Sequence, residues 1–356
     1  MMKRESAASI RARERGYFQA PTWYCDIVEE PVAGLGPEHG VHRRDPSSVL
    51  LYKGKYYVWY SKSYGPHVGF GTGDDFAKVF PWDYCDLYYA TSEDGSVWQE
   101  QGIAVRRGED GAYDDRSVFT PEVIAVDGRY CLVYQVVSHP YRLRSPESIA
   151  MATADTPDGP WQKTEAPVLS PLLDGVWKGE EDNRFLVARK SSFDGLKTHD
   201  PCLLKYHHRY YLYYKGEPMG EELYMGGRET KWGVAISDTL LGPYVRSEYN
   251  PISNSGHETC LWLYRDGVAA LLTTDGMERN TFQFAPDGIN FEITGAIKGA
   301  PEAMGPFRPS EPSDRSPLDG LRWGLCHHVN TPWNYIAKFS VDERFKDMYI
   351  NKRTNK

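Results

Sequence analysis

Short apolar runs joined by tight turns recur along most of the chain. From residue 47 onward, runs rich in Tyr, Val, Leu and Trp alternate with turns that contain Gly or two polar residues. The paired runs lie at 47–61, 122–137, 201–216 and 260–276. Runs of this composition that flank a two-residue turn such as Lys-Gly or Asp-Gly are typical of β-hairpins. The four segments therefore predict four hairpins, and in the last of them Asp266 and Gly267 form the predicted turn.

Each hairpin is followed by a second repeated pattern, in which an apolar run enters a Gly-containing turn that an aromatic residue closes. These patterns lie at 90–98, 152–161, 235–244 and 284–291. Four strands per unit, in units that recur without helices between them, are typical of radial repeats. The sequence therefore predicts an all-β fold, a five-bladed β-propeller whose units begin near Asp45, Glu122, Asp200, Glu258 and Ala303. The last apolar run, 334–341, is expected to pair with the first unit and close the ring.

The N-terminus carries the one convincing helix pattern. Ser6 is suited to cap this helix, and the residues after it are mostly good helix formers. A helix this short is not stable alone in water, so it must dock on another surface. We therefore expect a helical segment over 1–30, a propeller domain over 31–345 and a C-terminal tail over 346–356.

Composition and charge narrow the classes of partner. Aromatic residues make up 13% of the 356 residues, including 25 Tyr and 10 Trp, which suits strands and carbohydrate-binding surfaces. The formal net charge of -8, from 41 Lys and Arg against 49 Asp and Glu, gives no electrostatic footprint for nucleic acid. No apolar stretch resembles an export signal or a membrane span, so we expect a cytoplasmic protein without a membrane partner.

The cysteines are widely spaced along the chain. They are Cys25, Cys85, Cys131, Cys202, Cys260 and Cys326. No pair has the spacing of a metal knuckle or a redox motif. Because cytoplasmic thiols stay reduced and free cysteines are usually buried, we predict buried thiols.

Each of the first four predicted units begins with an acidic residue at the mouth of an apolar strand. The local sequences are HRRDPSS around Asp45, FTPEV around Glu122, THDPC around Asp200, and SGHETC, in which His257 precedes Glu258. A single acid before a strand is usually a solvated turn residue. The innermost strands of a propeller converge on a central channel, however, so equivalent acids meet there, and crowding raises the pKa of at least one of them. Inverting glycoside hydrolysis requires such a set, with an acid and a base roughly 6.5 to 9.5 Å apart.

These motifs resemble those of a known clan. RDPS, HDP and a following acid on repeated hairpins are similar to the glycoside hydrolases that include family 43 arabinanases and xylosidases. The closer likeness is to family 117, the α-1,3-(3,6-anhydro)-L-galactosidases, because SAASIR also matches that family's S-x-A-x-x-R motif at Ser6, Ala8 and Arg11. The resemblance spans nearly the whole chain. It implies an exo-acting, inverting enzyme that releases 3,6-anhydro-L-galactose from the non-reducing end of neoagarooligosaccharides.

The resemblance also implies roles for particular residues. Asp45 corresponds to the general base, and Asp200 to the carboxylate that positions the sugar and tunes the acid. His257 stands where other relatives use a glutamate as general acid, with Glu258 beside it. A protonated histidine suits this role if nearby carboxylates raise its pKa, although a purely structural imidazole is the alternative.

The same resemblance implies a homodimer that exchanges the N-terminal segment through Ser6, Ala8 and Arg11. The alternative is a basic helix that lies on its own propeller. Some relatives bind calcium or magnesium near the channel, but no ligand set is legible in this sequence, so we predict neither a metal nor a cofactor.

Further residues are candidates for contact with an oligosaccharide substrate. They are Thr120, His199, Trp82, Trp232 and Glu122, the last of which is either a substrate contact or part of the channel wall. The basic cluster of His139, Arg142 and Arg144 either grips an anionic substituent or forms a solvated loop. Two alternative functions stay open, namely the same fold acting on another glycoside, such as an arabinofuranoside or a different red-algal galactan fragment, and a glycan-binding propeller without catalytic activity.

Overall fold

The computed structural model describes residues 4–15, 26–223, 228–309 and 315–342. Over these ranges the protein is nearly all β, with one short α-helix near the N-terminus, as the sequence predicts. The first elements are α1 (Ala7–Arg15), β1 (Asp26–Pro31), β2 (Val41–Arg44), β3 (Val49–Tyr52), β4 (Lys55–Tyr64), β5 (Asp86–Ser92) and β6 (Trp98–Val105). Strands β3 to β6 form an antiparallel meander, and β2 pairs with β4.

Three more antiparallel meanders follow along the chain, each with four strands. The second consists of β7 (Ser117–Val126), β8 (Arg129–Val137), β9 (Ser148–Ala154) and β10 (Gln162–Lys163). A separate hairpin comes next, with β11 (Val176–Trp177) and β12 (Val187–Arg189). The third consists of β13 (Lys197–Tyr206), β14 (Arg209–Glu217), β15 (Lys231–Ser237) and β16 (Val245–Arg246). The fourth consists of β17 (Leu261–Tyr264), β18 (Gly267–Leu272), β19 (Thr281–Ala285) and β20 (Glu292–Ala296).

The last meander combines both ends of the described chain. Its strands are β21 (Gly305–Arg308), β22 (Trp323–His328), β23 (Tyr335–Asp342) and the N-terminal β1, with a short 3₁₀-helix at Pro317–Leu321. The prediction that the run at 334–341 pairs with the first unit is therefore wrong, because β23 pairs with β22 and β1. The first and last meanders meet instead through a parallel pairing of β21 with β3, in which Phe307 lies opposite Val49.

Tight turns fix the register of the hairpins. The central residues Asp127 and Gly128 have φ of 51° and 75°, and His207 and His208 have φ of 47° and 63°. Positive φ at both positions defines the turn whose twist matches that of the flanking strands. In the fourth hairpin the turn lies one residue earlier than predicted, because Gly267 is already the first residue of β18. A Cβ atom there would lie 2.5 Å from the carbonyl oxygen of Ala285, so only glycine fits.

Apolar clusters lie between consecutive meanders. One cluster joins Trp59 of the first meander to Leu132 of the second, and another joins Leu203 of the third to Val133 of the second. Similar clusters join the third meander to the fourth, the fourth to the last, and the last to the first. No described sheet closes on itself through hydrogen bonds, and burial of apolar side chains contributes at each junction between consecutive meanders.

Helix α1 docks on loops of the third and fourth meanders. The Oγ atom of Ser6 accepts from the backbone N–H of Ser9 (3.2 Å) and donates to the carbonyl of Pro251 (2.7 Å), so Ser6 caps the helix and anchors it. Arg11 forms two hydrogen bonds with the buried carboxylate of Glu278, at 2.7 and 3.1 Å, and Ala8 is fully buried. The three predicted motif residues therefore face the same chain in this structure.

Two other expectations concern membrane-spanning segments and the cysteines. None of the helices that the structure describes has the length and apolar character to cross a membrane. Five of the cysteines are free and buried, as expected, whereas Cys25 and the tail at 346–356 lie outside the described residues.

Candidate active site

Equivalent backbone positions at the starts of the innermost strands surround a small central cavity of about 20 Å³. They are occupied by Asp45, Thr120, Asp200, Glu258 and Ala303. In the second and third meanders a bulge at this point shifts the register, between Phe119 and Glu122 and between His199 and Cys202. The second position therefore belongs to Thr120 and not, as the sequence suggested, to Glu122.

Three of these residues have an unusual backbone conformation. Asp45, Thr120 and Asp200 have φ of 50°, 48° and 47°, which non-glycine residues seldom adopt. Side chains of the preceding meander hold two of them, because Thr120 N–H donates to Ser61 Oγ (2.8 Å) and Asp200 N–H donates to Gln135 Oε1 (3.4 Å). Such fixed, sparsely populated conformations are typical of functional sites.

Above this ring lies a cleft of about 610 Å³. It brings together most of the predicted site residues, namely Asp45, Asp200, His257, Glu258, Thr120, His199 and Trp82. A cleft of this size suits one or two sugar rings. The predicted general base, the positioning carboxylate and the predicted general acid therefore share one cavity.

Asp45 lies in a positively charged setting. Its Oδ1 atom is 2.9 Å from Nδ1 of His327 and 3.7 Å from Nη2 of Arg44, and its Oδ2 atom accepts from Ser61 Oγ at 3.3 Å. Burial alone would raise the pKa of this carboxyl, but Arg44 and the hydrogen bonds from His327 and Ser61 outweigh burial and hold the pKa well below its usual value. Asp45 is therefore ionised throughout the ordinary pH range, as a general base requires.

Asp200 is paired with a lysine that the sequence analysis missed. The side chains of Asp200 and Lys215 form an ion pair, and both are more than nine-tenths buried. Thr259 Oγ1 donates to the backbone carbonyl of Asp200. Lys215 occupies the same place in β14 that Ser61 has in β4 and Gln135 has in β8, so an alignment of the repeats would have nominated it.

His257 lies between two carboxylates. Its Nδ1 atom is 3.1 Å from Oδ2 of Asp275, and its Nε2 atom is 4.0 Å from Oε1 of Glu258. Burial lowers the pKa of this imidazole, but the carboxylate of Glu258 and the hydrogen bond to Asp275 raise the pKa by more, so the net shift is upward. The side chain keeps 27% of its surface exposed, so a substrate oxygen can reach it. A protonated, accessible imidazole meets the requirements of a general acid.

Three further side chains could hold a cation. Donor atoms of Glu258, Glu302 and His327 all lie within 4.8 Å of one another. Glu258 Oε2 and His327 Nε2 are buried and have no hydrogen-bond partner, which fits a metal ligand set. Carboxylate oxygens with one imidazole suit a divalent cation. Sequence reasoning missed this set, because its members come from the fourth meander, the loop before β21, and β22.

Aromatic rings form one wall of the cleft. Trp82 stacks on Phe80 with ring centroids 4.4 Å apart, and the guanidinium of Arg44 lies 5.1 Å from the centre of the Trp82 ring. Trp82 Nε1 donates to the hydroxyl of Tyr141 (3.1 Å), which in turn donates to Glu147 (2.9 Å). Phe80, Arg44 and Tyr141 therefore hold the Trp82 ring in one position in the wall.

A buried lattice of charges continues the wall from Glu147. His199 Nε2 lies 3.2 Å from Oε1 of Glu217, and Lys197 pairs with both Glu147 and Glu217. The acids expose at most 2% of their side chains, so they lie behind the lattice's cations. His199 is thus held in the wall, as part of the cleft lining.

Two predicted substrate contacts lie elsewhere. Trp232 is 1% exposed and packs in the core beneath Gly256, where a Cβ atom would lie 2.8 Å from the indole ring. Glu122 lines the small central cavity and not the cleft, which agrees with the alternative that it is part of the channel wall. It accepts from the backbone N–H of Ser48 (2.9 Å), and burial raises its pKa. Neither side chain lines the cleft among the described residues.

Glycoside hydrolases of the propeller type have this combination of an all-β fold and a hub cleft lined by carboxylates. In keeping with that class, the chain is similar to Zg3597, a family 117 glycoside hydrolase produced by the marine bacterium Zobellia galactanivorans. The two share 32% sequence identity over 91% of this chain and 92% of that chain, with a TM-score of 0.73. The chain belongs to glycoside hydrolase family 117, and the resemblance found in the sequence is confirmed.

More distant similarity supports the fold alone. The GH43_1 enzyme from Xanthomonas citri, solved with xylose, is 12% identical over 86% of this chain and 90% of that chain, with a TM-score of 0.54. No protein-family model matches the chain, and neither does any curated protein.

Proposed function

We propose that this glycoside hydrolase is an exo-acting, inverting α-1,3-(3,6-anhydro)-L-galactosidase that acts on neoagarooligosaccharides. The observation that carries the proposal is the shared cleft lined both by Asp45, whose pKa is lowered, and by His257, whose pKa is raised. A pair of titratable groups whose surroundings shift their pKa values in opposite directions is typical of a catalytic base and acid. Membership of family 117 favours the anhydrogalactoside as substrate.

In the proposed mechanism Asp45 takes a proton from a water molecule as that water attacks the anomeric carbon. His257 gives its Nε2 proton to the glycosidic oxygen, and the bond from that oxygen to the anomeric carbon breaks with inversion. Asp275 holds the other imidazole nitrogen and stabilises the charged ring before transfer. Asp200, neutralised by Lys215, is placed to accept hydrogen bonds from sugar hydroxyls.

A divalent cation is not required by this scheme. The residues that would hold one are Glu258, Glu302 and His327, and it would supply positive charge beside the reacting sugar. The carboxylate of Asp45 is held by hydrogen bonds from His327 and Ser61.

We also propose that the five meanders are the blades of one propeller and that the protein forms a homodimer. The apolar clusters between consecutive meanders support the first point. The second rests on the family motif at Ser6, Ala8 and Arg11, whose docking site on the loops near Pro251 and Glu278 an exchanged helix could equally fill. Light scattering of the full chain tests the dimer, and a monomer at micromolar concentration would contradict it.

The catalytic proposal is tested by NMR analysis of the products from neoagarobiose. We expect free 3,6-anhydro-L-galactose with inverted configuration at the anomeric carbon. Absence of turnover, together with cleavage of an arabinofuranoside or another galactan fragment in a parallel panel, would assign the same site to a different glycoside. Binding without turnover of any glycoside would identify a glycan-binding propeller.

A further inference from the structure

The cationic side chains that line the cleft differ in exposure. Those of Arg44, Arg184, Lys197 and Lys215 expose between 3% and 12% of their surface. The side chain of Arg228 also lines the cleft, and it exposes 32%. Among the cations described in the cleft wall, Arg228 is therefore the one that a bound sugar can reach most readily.

The basic cluster that the sequence suggested for an anionic substituent is engaged elsewhere. Arg142 pairs with Asp75 through two hydrogen bonds, and Arg144 donates to the carbonyl of Gly179 (3.0 Å). Neither arginine is among the described residues that line the cleft, and the same holds for His139. The cluster therefore braces loops, and a cation that the sequence analysis did not single out is the stronger candidate for contact with a ligand.

Two buried glutamates hold the guanidinium of Arg228 along one edge. Its Nε atom donates to Oε1 of Glu221 (3.0 Å), and its Nη2 atom donates to Oε2 of the same carboxylate (3.1 Å). Nη2 also lies 2.7 Å from Oε2 of Glu217, and both acids are 1% exposed. The third nitrogen, Nη1, has no hydrogen-bond partner among the described residues and is not one of their fully buried atoms. A planar fork fixed in this way keeps two N–H groups free for a ligand.

Arg228 lies on the same side of the cleft as His257. The Nδ1 atom of His257 is 3.1 Å from Oδ2 of Asp275. Burial raises the pKa of Asp275, but His257, a hydrogen bond from the backbone of Arg228 and the charge of its guanidinium outweigh burial and hold the pKa below its usual value. The Nε2 atom of His257 is directed instead to Glu258, which lines the central cavity together with Asp45. Asp275 and Arg228 therefore lie on the far side of the imidazole from Asp45.

The stereochemistry of the proposed reaction determines where the leaving sugar lies. In an inverting hydrolysis the water that Asp45 activates attacks one face of the anomeric carbon, and the glycosidic oxygen departs from the opposite face toward the acid. The leaving sugar stays attached to that oxygen, so it lies on the side of His257 that Arg228 also occupies. In an α-1,3 bond this oxygen is O3 of the leaving galactose, and the 2- and 4-hydroxyl groups flank it.

We infer that Arg228 binds the leaving sugar and that its Nη1 atom donates to a hydroxyl group that flanks the glycosidic oxygen. This inference deepens the proposed function and rests on it for the identity of the two sugars. It makes Arg228 a specificity-determining contact for a hydroxyl-bearing sugar in the leaving position. Because Glu217 and Glu221 fix the guanidinium before the sugar arrives, the contact costs little side-chain entropy.

The test measures the binding of two ligands that differ only in the leaving group. One is neoagarobiose, and the other is methyl 3,6-anhydro-α-L-galactoside, which has the same terminal sugar and no hydroxyl groups beyond the glycosidic oxygen. Calorimetry is carried out in the Asp45→Asn background, so that neither ligand is consumed. Arg228→Gln is then added to remove the guanidinium. Glu217 and Glu221 keep Arg184 as a partner, so the variant should fold.

The matched control is Arg184→Gln in the same background. Arg184 pairs with the same two carboxylates, Glu217 and Glu221, but its side chain is only 9% exposed. The control removes the same charge from the same acids. It therefore reports what a change in the buried ion pairs does to binding without loss of the exposed N–H groups.

We expect Arg228→Gln to raise the Kd of neoagarobiose about ten- to a hundredfold, the loss typical of a hydrogen bond from a charged donor. The Kd of the methyl glycoside should change less than about threefold, and the control should change both Kd values by the same factor. Both ligands are measured on one preparation, so partial unfolding does not alter the comparison. Equal weakening of both ligands in Arg228→Gln, unchanged binding of neoagarobiose, or a control that weakens neoagarobiose selectively would overturn the inference.

Failure of the proposed function is visible separately, as absence of turnover of neoagarobiose by the wild type. In that event the same variants are tested with the glycoside that the substrate panel identifies and with the methyl glycoside of its terminal sugar. Selective loss of binding of the longer ligand in Arg228→Gln supports the inference, and equal loss for both ligands refutes it.

Discussion

The two ends of the central region that the five meanders surround differ in chemistry, although the same strands build both. The cleft end gathers ionisable groups, among them Asp45, Asp200 and His257. The opposite end opens into a cavity of about 490 Å³ whose walls are mainly aliphatic and aromatic, with Leu50, Val123, Leu203, Leu263 and Phe307 among the lining residues. Glu122 and Arg308 lie between the two.

The difference shows at which end the fold accepts the free-energy cost of burying charged groups that a reaction can use. Burying a charge is expensive unless it is paired, and the cleft end pairs its charges through His327, Lys215 and Asp275. The opposite end avoids that cost by using apolar residues. A cleft that gathers several paired, buried titrating groups around one space is characteristic of an active site.

The largest difference in activity is expected between Asp45 and Glu122, the acids that the sequence placed at equivalent positions. Asp45→Asn should lower kcat by about a thousandfold or more, because an amide cannot accept the proton of the attacking water. Glu122→Gln should change kcat less than about threefold, because Glu122 lies below the ring. Steady-state kinetics on neoagarobiose measures kcat for both variants. Similar losses in the two would contradict the proposed difference between the two ends.

A smaller effect is expected at the partner of the general acid. The carboxylate of Asp275 raises the pKa of His257, so Asp275→Asn should lower that pKa and reduce kcat by roughly ten- to a hundredfold near neutrality. Since His257 acts in its protonated form, the alkaline limb of the pH profile should move to lower pH. The acidic limb should stay where it is, because the pKa of Asp45 is already depressed.

The control for this variant is Asp127→Asn, which removes a carboxylate from the rim of the opposite cavity. Its pH profile should match that of the wild type. An alkaline limb that stays in place after Asp275→Asn would remove His257 from the role of acid.

The smallest effect on activity is expected at the apolar end. Leu203 is 2% exposed in the cluster between the second and third meanders, so Leu203→Ala should lower the free energy of unfolding by about 2–5 kcal/mol. The kcat of the folded enzyme, measured well below the unfolding transition, should remain unchanged. Urea unfolding followed by fluorescence gives the first quantity, and a parallel fall in kcat would indicate that the two ends are coupled.

The sequence predicted the site where a motif lies at the mouth of a strand. Asp45, Asp200 and His257 could be found because each comes immediately before or at the start of an apolar run, and innermost strands converge. Glu122 was misplaced because a bulge shifts the register, so that Thr120 takes the equivalent position. The proline that follows Asp45, Thr120 and Asp200 marks the equivalent position in the sequence, and a search for acids alone passes over it.

Strand β1 was missed for a related reason. Half of its sequence DIVEEP is acidic, which suits its place at the edge of its sheet, paired on one side with β23. Trp232 was misassigned because an aromatic residue beside a glycine can face either a cleft or the core, and the close approach of Gly256 is visible only in three dimensions.

The sequence by itself determined the all-β class, the hairpin turns, the buried thiols and the family, because these depend on local alternation, turn chemistry and short motifs. The tertiary structure alone decided which side chains meet. The pairs Asp45 with His327, Asp200 with Lys215 and His257 with Asp275 join different strands and loops of the fold, and in the first pair different meanders. The first pair is set by how the first and last meanders pack on one another, and local sequence carries no record of that packing. The other two pairs depend on the register within the third meander and on the loops that flank β17 and β18 in the fourth.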